Sequence, residues 1–212
     1  MNESDFADQR LGSWLYDLAS AAPAPGGGAA AALHVAVGAA LVEMVCNLTI
    51  GKPRYAEHET TMVQALEQAG ELRARALLLA DADAEAFLAV SRAYKMPKDT
   101  EEERDARAEA IQSALVTAAD VPLRTAEAAA DVIGLAQRIL EGANVNVISD
   151  VAVAASSARA GLEAATVNVE INLSGMADNP ERSEVAARLE ARRDAVLQAD
   201  RVVRDVTQKI AS

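Results

Sequence analysis

The chain has 212 residues, a length that suits one domain or at most two small ones. Its formal net charge is −12 and its basic residues form no cluster, which argues against nucleic acid and anionic membranes as partners. A single cysteine excludes an intrachain disulfide, and residues 1–5 lack the features of a signal peptide. We therefore expect a cytoplasmic protein.

Helical periodicity covers most of the chain, and no run of residues alternates as a strand would. The predicted helices, in chain order, span about 3–20, 28–50, 55–92, 100–141, 144–173 and 181–210, where 144–173 is either one helix or a helix with a loop. Pro122 lies inside the fourth helix and is expected to kink or divide it. Because 51% of the residues are hydrophobic but only 3% are aromatic, we expect closely packed helices with small side chains. The sequence predicts one all-α domain over residues 1–212, a bundle of about six long helices.

The helix predicted over 28–50 is long enough to cross a membrane, but it carries His34, Glu43 and Asn47. These polar groups favour a buried helix of the bundle instead. A buried Glu43 without a partner would be costly, so this residue is exposed, paired or functional. Simple exposure is the interpretation we favour.

A loop rich in proline and glycine, Pro23-Ala24-Pro25-Gly26-Gly27-Gly28, leads into this apolar helix. The first turn of a helix presents free N–H groups and a partial positive charge. The loop and the helix start therefore suit an anionic or carbonyl-bearing ligand. Lys52 and Arg54 add fixed positive charge beyond the other end of the helix.

A second polar segment, Asn144 to Asp150, opens the predicted helix 144–173. Helical spacing places further polar residues on the face of Asp150, among them Asn168 and Asn172. The functional interpretation is a carboxylate and amides that line a site. The structural alternative, which spacing alone favours, is that Asp150 or Ser149 caps the helix and the asparagines bond across helices.

Other kinds of site find little support in the sequence. His34 and His58 have no second cysteine or histidine at ligand spacing, so we predict no metal site. Cys46 lies in the apolar helix and is expected to be a core thiol instead of a nucleophile.

Several motifs together resemble the cyclodeaminase/cyclohydrolase family, the family of the C-terminal domain of formiminotransferase-cyclodeaminase. They are Pro23 to Gly28, Asn47 to Tyr55, Asp83-x-x-Ala86-Phe87, Pro97-Lys98-x-Thr100, Val121-Pro122-Leu123 and Asn144 to Asp150. The resemblance covers nearly the whole chain. Within the family it is strongest to the stand-alone bacterial methenyltetrahydrofolate cyclohydrolases.

The resemblance implies an all-α homodimer that binds a tetrahydrofolate substrate and needs no metal or further cofactor. The implied reaction is hydrolysis of 5,10-methenyltetrahydrofolate to 10-formyltetrahydrofolate. The alternative reaction is that of formiminotetrahydrofolate cyclodeaminase, which releases ammonia. The alternative that involves no catalysis is a folate-binding helical dimer.

The same resemblance implies roles for individual residues. Asp150 is the candidate general base, facing the glycine loop across helices or across a dimer interface. Lys52, Arg54 and Lys98 are expected to hold the carboxylates of the folate tail. The other expected substrate contacts are Pro25, Gly26, Gly27, Gly28, Asn47, Tyr55, Asn144, Asn146, Ser149 and Asn172.

Overall fold

The computed structural model describes residues 6–211. Within them the chain forms seven α-helices, three short 3₁₀ turns and no strand. The α-helices are α1 (Leu11–Leu18), α2 (Gly27–Asn47), α3 (Glu59–Tyr94), α4 (Glu101–Ile139), α5 (Ile148–Gly175), α6 (Pro180–Glu190) and α7 (Ala195–Ala211). The all-α prediction is confirmed, and α2 to α7 are its six longer helices. The predicted helix start at residue 3 and the signal-peptide region 1–5 lie outside the described residues.

Four long helices, α2 to α5, form an up-and-down bundle in which each packs on its chain neighbours and α5 closes back on α2. The α7 helix covers α4 and α5 from outside, and α6 packs on α4. The two helices α2 and α5 run antiparallel, because Gly27 faces Asn168 whereas Gly38 faces Ala154. Each long helix therefore carries residues from one end of the bundle to the other.

Small side chains allow α2 and α5 to approach closely. A Cβ atom on Gly161 would lie 2.8 Å from Val35 and 2.9 Å from the carbonyl oxygen of Ala31. One on Gly38 would lie 2.9 Å from the carbonyl oxygen of Ala154. Since the obstacles include main-chain atoms, neither contact can be relieved by a simple side-chain rotation.

We expect Gly161→Ala to lower the free energy of unfolding by about 1–3 kcal/mol, the usual cost of overpacking a close helix contact. The matched control is Gly134→Ala in α4, where an added Cβ meets nothing within 4 Å. That control should raise stability by about 0.5–1 kcal/mol, because alanine favours the helix interior. Urea midpoints at equal m-values measure both; a Gly161→Ala midpoint at or above wild type would contradict the packing.

The structure corrects three predicted boundaries. The segment predicted as one helix over 181–210 is interrupted at residues 191–194, which separate α6 from α7. The first predicted helix is short, with α1 ending at Leu18 after a separate 3₁₀ turn at 6–8. Pro122 neither divides nor ends α4, which runs unbroken over 39 residues.

The apolar helix α2 is, among the described residues, the one helix that could span a membrane by length and composition. Its most apolar window is 56% buried inside the bundle, as expected of a core helix. Cys46 is fully buried there, and burial raises the pKa of its thiol to about 11, consistent with a core thiol.

Glu43 on α2 is paired, so the expectation of simple exposure was wrong. The Arg73 guanidinium of α3 donates to Glu43 Oε2 at 2.5 Å, and the carboxylate side chain is only 19% exposed. Gly70, also on α3, leaves room beside the carboxylate. The partner cation removes the desolvation problem that the sequence posed, because α3 supplies a charge that spacing within α2 cannot reveal.

Candidate functional site

A cavity of about 320 Å³ opens at the N-terminal end of α2. Such a volume lies at the low end of the range for small-molecule sites, about 300–1,000 Å³, and suits a compact ring system. The walls come from the glycine loop, α3, α4 and α5. They are formed by Pro23, Ala24, Gly26, Gly27, Gly28, Asp83, Ala84, Ala86, Phe87, Val90, Ala118, Asn168, Ile171 and Asn172.

Asp83 is the only titratable residue among the residues that line this cavity. Its Oδ2 accepts a hydrogen bond of 3.1 Å from the N–H of Ala29 in the first turn of α2. Desolvation raises the pKa of the Asp83 carboxyl, and the Ala29 hydrogen bond opposes that rise. The carboxylate thus caps α2 from a neighbouring helix while it faces the cavity.

Gly28 is what permits Asp83 to stand so close to α2. A Cβ atom at Gly28 would lie 1.9 Å from Asp83 Oδ1 and 2.3 Å from Asp83 Cγ. At Gly27, by contrast, an added Cβ would meet Asn168 at ordinary contact distances of 3.7 and 3.8 Å. The two neighbouring glycines therefore differ: only Gly28 is required by the geometry of the carboxylate.

Asn172 owes its orientation to Pro122. Proline has no N–H, so the carbonyl of Ala118, four residues earlier in α4, lacks its usual helical partner. Asn172 Nδ2 donates to that carbonyl oxygen at 2.7 Å and to the carbonyl oxygen of Asn168 at 2.8 Å. Both N–H groups of the amide are thereby used, and the amide repairs the helix that Pro122 was expected to break.

The rim of the cavity is apolar. Phe87 of α3 and Ile171 of α5 line it, with 49% and 66% of their surfaces exposed. Exposed apolar side chains beside a polar floor suit a flat ligand that is apolar on its faces and polar at its edge.

A second cluster of predicted site residues lies at the opposite end of α2 and α5. Its centre is Asn144, which is 3% exposed. Asn144 Nδ2 donates to the carbonyl oxygen of Leu48 at 2.8 Å, and its N–H donates to Thr49 Oγ1 at 3.1 Å. Asn144 Oδ1 accepts from the hydroxyl of Tyr55 at 3.3 Å and from the N–H of Asn146 at 3.1 Å. Asn144 therefore joins the segment after α2 to the turn before α5.

The charged members of this cluster point outward. Lys52 and Arg54 are exposed, and neither forms an ion pair with the described residues. The Arg54 guanidinium lies 5.6 Å from the centre of the Tyr55 ring. Asp150, in the first turn of α5, is half-buried, and its side chain has no hydrogen-bond partner in the described part of the chain. Neither Asp150 nor Ser149 caps α5, which has no side-chain capping hydrogen bond, so the capping role that spacing favoured for one of them is not observed.

The predicted site residues fall into two groups that the single chain keeps apart. Gly26, Gly27, Gly28 and Asn172 line the cavity, and Pro25 lies in the same loop but lines a neighbouring depression. Lys98 lies in the exposed loop after α3, outside the cavity. The remaining predicted residues are at the far end: Asn47, Lys52, Arg54, Tyr55, Asn144, Asn146, Ser149 and Asp150.

Asp150 does not face the glycine loop across helices within one chain. Asp150 and Asn168 are 18 positions apart in α5, a rise of about 27 Å at 1.5 Å per residue. No rotation of a side chain can span that length. Of the two positions expected for Asp150, only the one across a dimer interface is compatible with the fold.

Asp83 was not among the predicted site residues, although it belongs to one of the motifs that carry the family resemblance. A usable signal was present: of the alternating carboxylates Asp81, Asp83 and Glu85, Asp83 lies at helical spacing between Ala80 and Ala86, which are both buried on the apolar face of α3. For metals the expectation was absence; no group of three or more metal-binding side chains occurs among residues 6–211.

Comparison with known proteins gives consistent matches. Residues 10–191 match the model of the formiminotransferase-cyclodeaminase family. Methenyltetrahydrofolate cyclohydrolase from Methylorubrum extorquens is 49% identical over 183 residues, which are 86% of this chain and 88% of that protein. Formimidoyltransferase-cyclodeaminase from Mus musculus is 37% identical over 84% of this chain, which spans only 33% of the mouse protein.

A solved structure agrees along nearly the full length. The crystal structure of formiminotetrahydrofolate cyclodeaminase from Thermotoga maritima is 30% identical, with a TM-score of 0.86 over 97% of this chain and 99% of that one. The bundle, including the outer helix α7 that follows the family match, is therefore a shared architecture. With a family match that extends from α1 to the end of α6, the chain belongs to the formiminotransferase-cyclodeaminase family.

Proposed function

We propose that the protein is a methenyltetrahydrofolate cyclohydrolase, which hydrolyses 5,10-methenyltetrahydrofolate to 10-formyltetrahydrofolate in one-carbon metabolism. The observation that carries this proposal is the 49% identity to the Methylorubrum extorquens enzyme over 88% of that enzyme's length. The single cavity-lining carboxylate and the apolar rim are compatible with a flat, polar-edged substrate.

The reaction needs a group that accepts a proton from water. Water adds to the methenyl carbon between N5 and N10 and loses a proton to a carboxylate, giving a neutral tetrahedral carbon. The bond from that carbon to N5 then breaks as N5 takes a proton and the new hydroxyl group loses its own, which forms the carbonyl and leaves the formyl group on N10. A carboxylate beside the cationic amidinium also stabilises the bound substrate. Asp150 is our candidate for this group.

Asp150 can take that role only in a homodimer, which is part of the proposal. Apolar side chains are exposed along both α2 and α5, among them Val37 (44%) and Val153 (52%). Burying them against a second copy is favourable. If the two copies pair about a two-fold axis across these antiparallel helices, the glycine loop of one lies near Asp150 of the partner subunit.

Lys52 and Arg54 lie at the same end as Asp150, so a pairing of this kind also brings two unpaired cations to the cavity. We propose that they hold the carboxylates of the folate tail as charge-assisted pairs, with Lys98 as a further cation at the cavity end. Local cations are needed because the protein has a net charge of −12. We further propose that the enzyme uses no cofactor besides its folate substrate and works in the cytoplasm.

The test is a pair of spectroscopic assays with purified protein. With methenyltetrahydrofolate, we expect loss of its near-ultraviolet absorbance at a rate well above the uncatalysed one. With formiminotetrahydrofolate, we expect no catalysed appearance of that absorbance. Appearance in the second assay without catalysed loss in the first would replace the proposal with the cyclodeaminase reaction, the activity for which the Thermotoga maritima protein is named. Binding without turnover in both assays would leave a folate-binding protein.

A further inference from the structure

A groove of about 460 Å³ lies between α3 and α4 and shares no residue with the cavity at the glycine loop. Its floor consists of small and apolar side chains that are buried or half-buried, and its rim is charged. From α3 the rim receives Glu71 and Arg75, and from α4 it receives Asp131 and Arg138. Two acids and two arginines therefore face one groove.

Two contacts across the groove fix the register of its walls. Arg138 Nη2 donates to Gln68 Oε1 at 2.7 Å, and Arg75 Nη2 lies 3.9 Å from Glu127 Oε2. Residue numbers rise along α3 while those of the facing residues fall along α4, so the two helices run antiparallel. The level of each side chain along the groove follows from this register.

Gly134 lies in the middle of the groove and has no role in the packing of the chain itself. Glycine is unfavourable in the interior of a helix. Two features commonly offset that cost, a positive φ or a close contact that excludes a Cβ atom, and Gly134 has neither. In the antiparallel register Glu71 lies at the level of Gly134. The carboxylate of Glu71 therefore stands opposite a helix position that has no side chain, and the groove stays open there.

The charged groups of the rim are not paired with one another. Glu71 and Asp131 accept no hydrogen bond and form no ion pair with any of residues 6–211. Arg138 donates one hydrogen bond, to an amide oxygen, and the carboxylate paired with Arg75 is 3.9 Å away. All four side chains are exposed or half-exposed, so their remaining hydrogen-bonding capacity is accessible to a ligand.

A ligand with charge of one sign does not suit this rim. The two carboxylates repel an anion that approaches the arginines, and the two arginines repel a cation that approaches the carboxylates. A molecule that carries both an ammonium group and a carboxylate can form charge-assisted hydrogen bonds with both kinds of side chain. Leu72, Ala130 and Leu135 provide an apolar surface between the charges, which suits a ligand with an apolar side chain.

We propose that the groove between α3 and α4 binds the zwitterion of an α-amino acid with an apolar side chain. Glu71 binds its ammonium group and Arg138 binds its carboxylate, while its side chain lies over Gly134 and Ala130. The proposed site involves neither the folate substrate nor the glycine loop. It is therefore independent of the proposed function.

Titration calorimetry with three small molecules tests the requirement for both charges. L-Leucine is the probe, and 4-methylpentanoate and 3-methylbutylamine are the same molecule without its ammonium group or without its carboxylate. Wild-type protein should bind L-leucine with a dissociation constant of about 0.1–1 mM, an ordinary affinity for so small a ligand. Each analogue should bind about tenfold more weakly or worse, because one charged group of the rim then has no partner.

Two variants place the binding in the groove. Gly134→Leu should abolish detectable binding of L-leucine, because the new side chain extends into open space in the groove. Its urea midpoint should be at or above that of wild type, since leucine favours the helix. Glu71→Gln should weaken binding by about tenfold. The matched control is Glu85→Gln, which removes the same charge from an exposed position about 21 Å further along α3 and should bind as wild type does.

Three results would each overturn the proposal. Wild-type protein that does not bind L-leucine at millimolar concentration has no such site. Analogues that bind as tightly as L-leucine would show that the two charges are not recognised together. A folded Gly134→Leu protein that binds L-leucine as wild type does would place the binding elsewhere in the molecule.

Discussion

Gly28→Ala should lower kcat/KM for methenyltetrahydrofolate by about 100-fold, the size of effect expected when a ligand-binding group is displaced from its site. The new methyl group would occupy a position 1.9 Å from Asp83 Oδ1. The carboxylate must therefore turn away from α2, which breaks its hydrogen bond to the Ala29 N–H and places it across the cavity. Alanine itself is well tolerated at this point of a helix, so the damage falls on the site.

The effect on stability should be much smaller than the effect on activity. The loss of the helix-capping contact should lower the free energy of unfolding by about 1 kcal/mol, and the better helix propensity of alanine should offset about half of this loss. The thermal midpoint should shift by only a few degrees. A large loss of stability together with activity would mean that Asp83 cannot move, and that the effect on turnover is a consequence of unfolding.

Gly27→Ala is the matched control for this prediction. The substitution is the same, one residue earlier in the same helical turn, but the nearest atoms are those of the Asn168 amide at 3.7 Å and beyond. We expect kcat/KM within a few-fold of wild type. Equal losses in the two variants, measured in the same absorbance assay, would show that the glycines serve loop flexibility and not the placement of Asp83.

Helix content could be predicted from the sequence because periodicity and capping residues are local. The capping box at Thr100 and Glu103 is present as the sequence indicates, and α4 begins one residue later. The interruption between α6 and α7 could not be predicted, since Ala191, Arg192 and Arg193 are all compatible with a helix. It is set by the packing of α7 on α4 and α5, which are distant in sequence.

Pro122 illustrates how tertiary contacts alter a sound local expectation. The missing N–H predicts a break because a carbonyl loses its partner. That partner is supplied by Asn172, 54 positions from Ala118 in the sequence. The sequence around Pro122 predicts the unpaired carbonyl, but it does not indicate which distant side chain will bind it.

The site was harder to predict than the fold because a motif does not distinguish residues that bind a ligand from residues that stabilise the fold. Asn144 is the centre of a buried hydrogen-bond cluster and joins two segments at the far end of the bundle. The role of Asp83 could not be predicted in the same way, because it depends on contact with Gly28, which lies 55 positions earlier in the sequence and on another helix. Helical spacing places Asp150 and Asn172 on one face, but their 22 positions of separation correspond to about 33 Å along the helix, too far for both to line one cavity of a single chain.

Asp150→Asn is expected to abolish most of the activity. Because of the distance between Asp150 and the cavity, mixed dimers with a second inactive variant are expected to regain part of it. The substitution should lower turnover by about 10²- to 10⁴-fold, the range for removal of a general base. It should leave folding intact, since the Asp150 side chain has no hydrogen-bond partner in residues 6–211. Near-wild-type turnover of this variant would eliminate Asp150 as the base.

Two inactive variants can show whether the active site contains residues of both subunits. Gly28→Ala damages the cavity and Asp150→Asn damages the opposite end of the bundle, so each homodimer should be inactive. When equal amounts are unfolded and refolded together, about half of the dimers are mixed by simple statistics. In a mixed dimer whose sites combine the glycine loop of one subunit with Asp150 of the partner subunit, one site has neither substitution.

The refolded mixture should therefore regain about a quarter of wild-type activity, because half of the sites in half of the dimers are intact. If each site used the glycine loop and Asp150 of the same chain, every site in a mixed dimer would carry one substitution, and no activity would return. Refolding each variant alone controls for recovery unrelated to mixing. Since about 27 Å of α5 separates Asp150 from the cavity wall at Asn168, recovery is the outcome that the fold requires if Asp150 is the base.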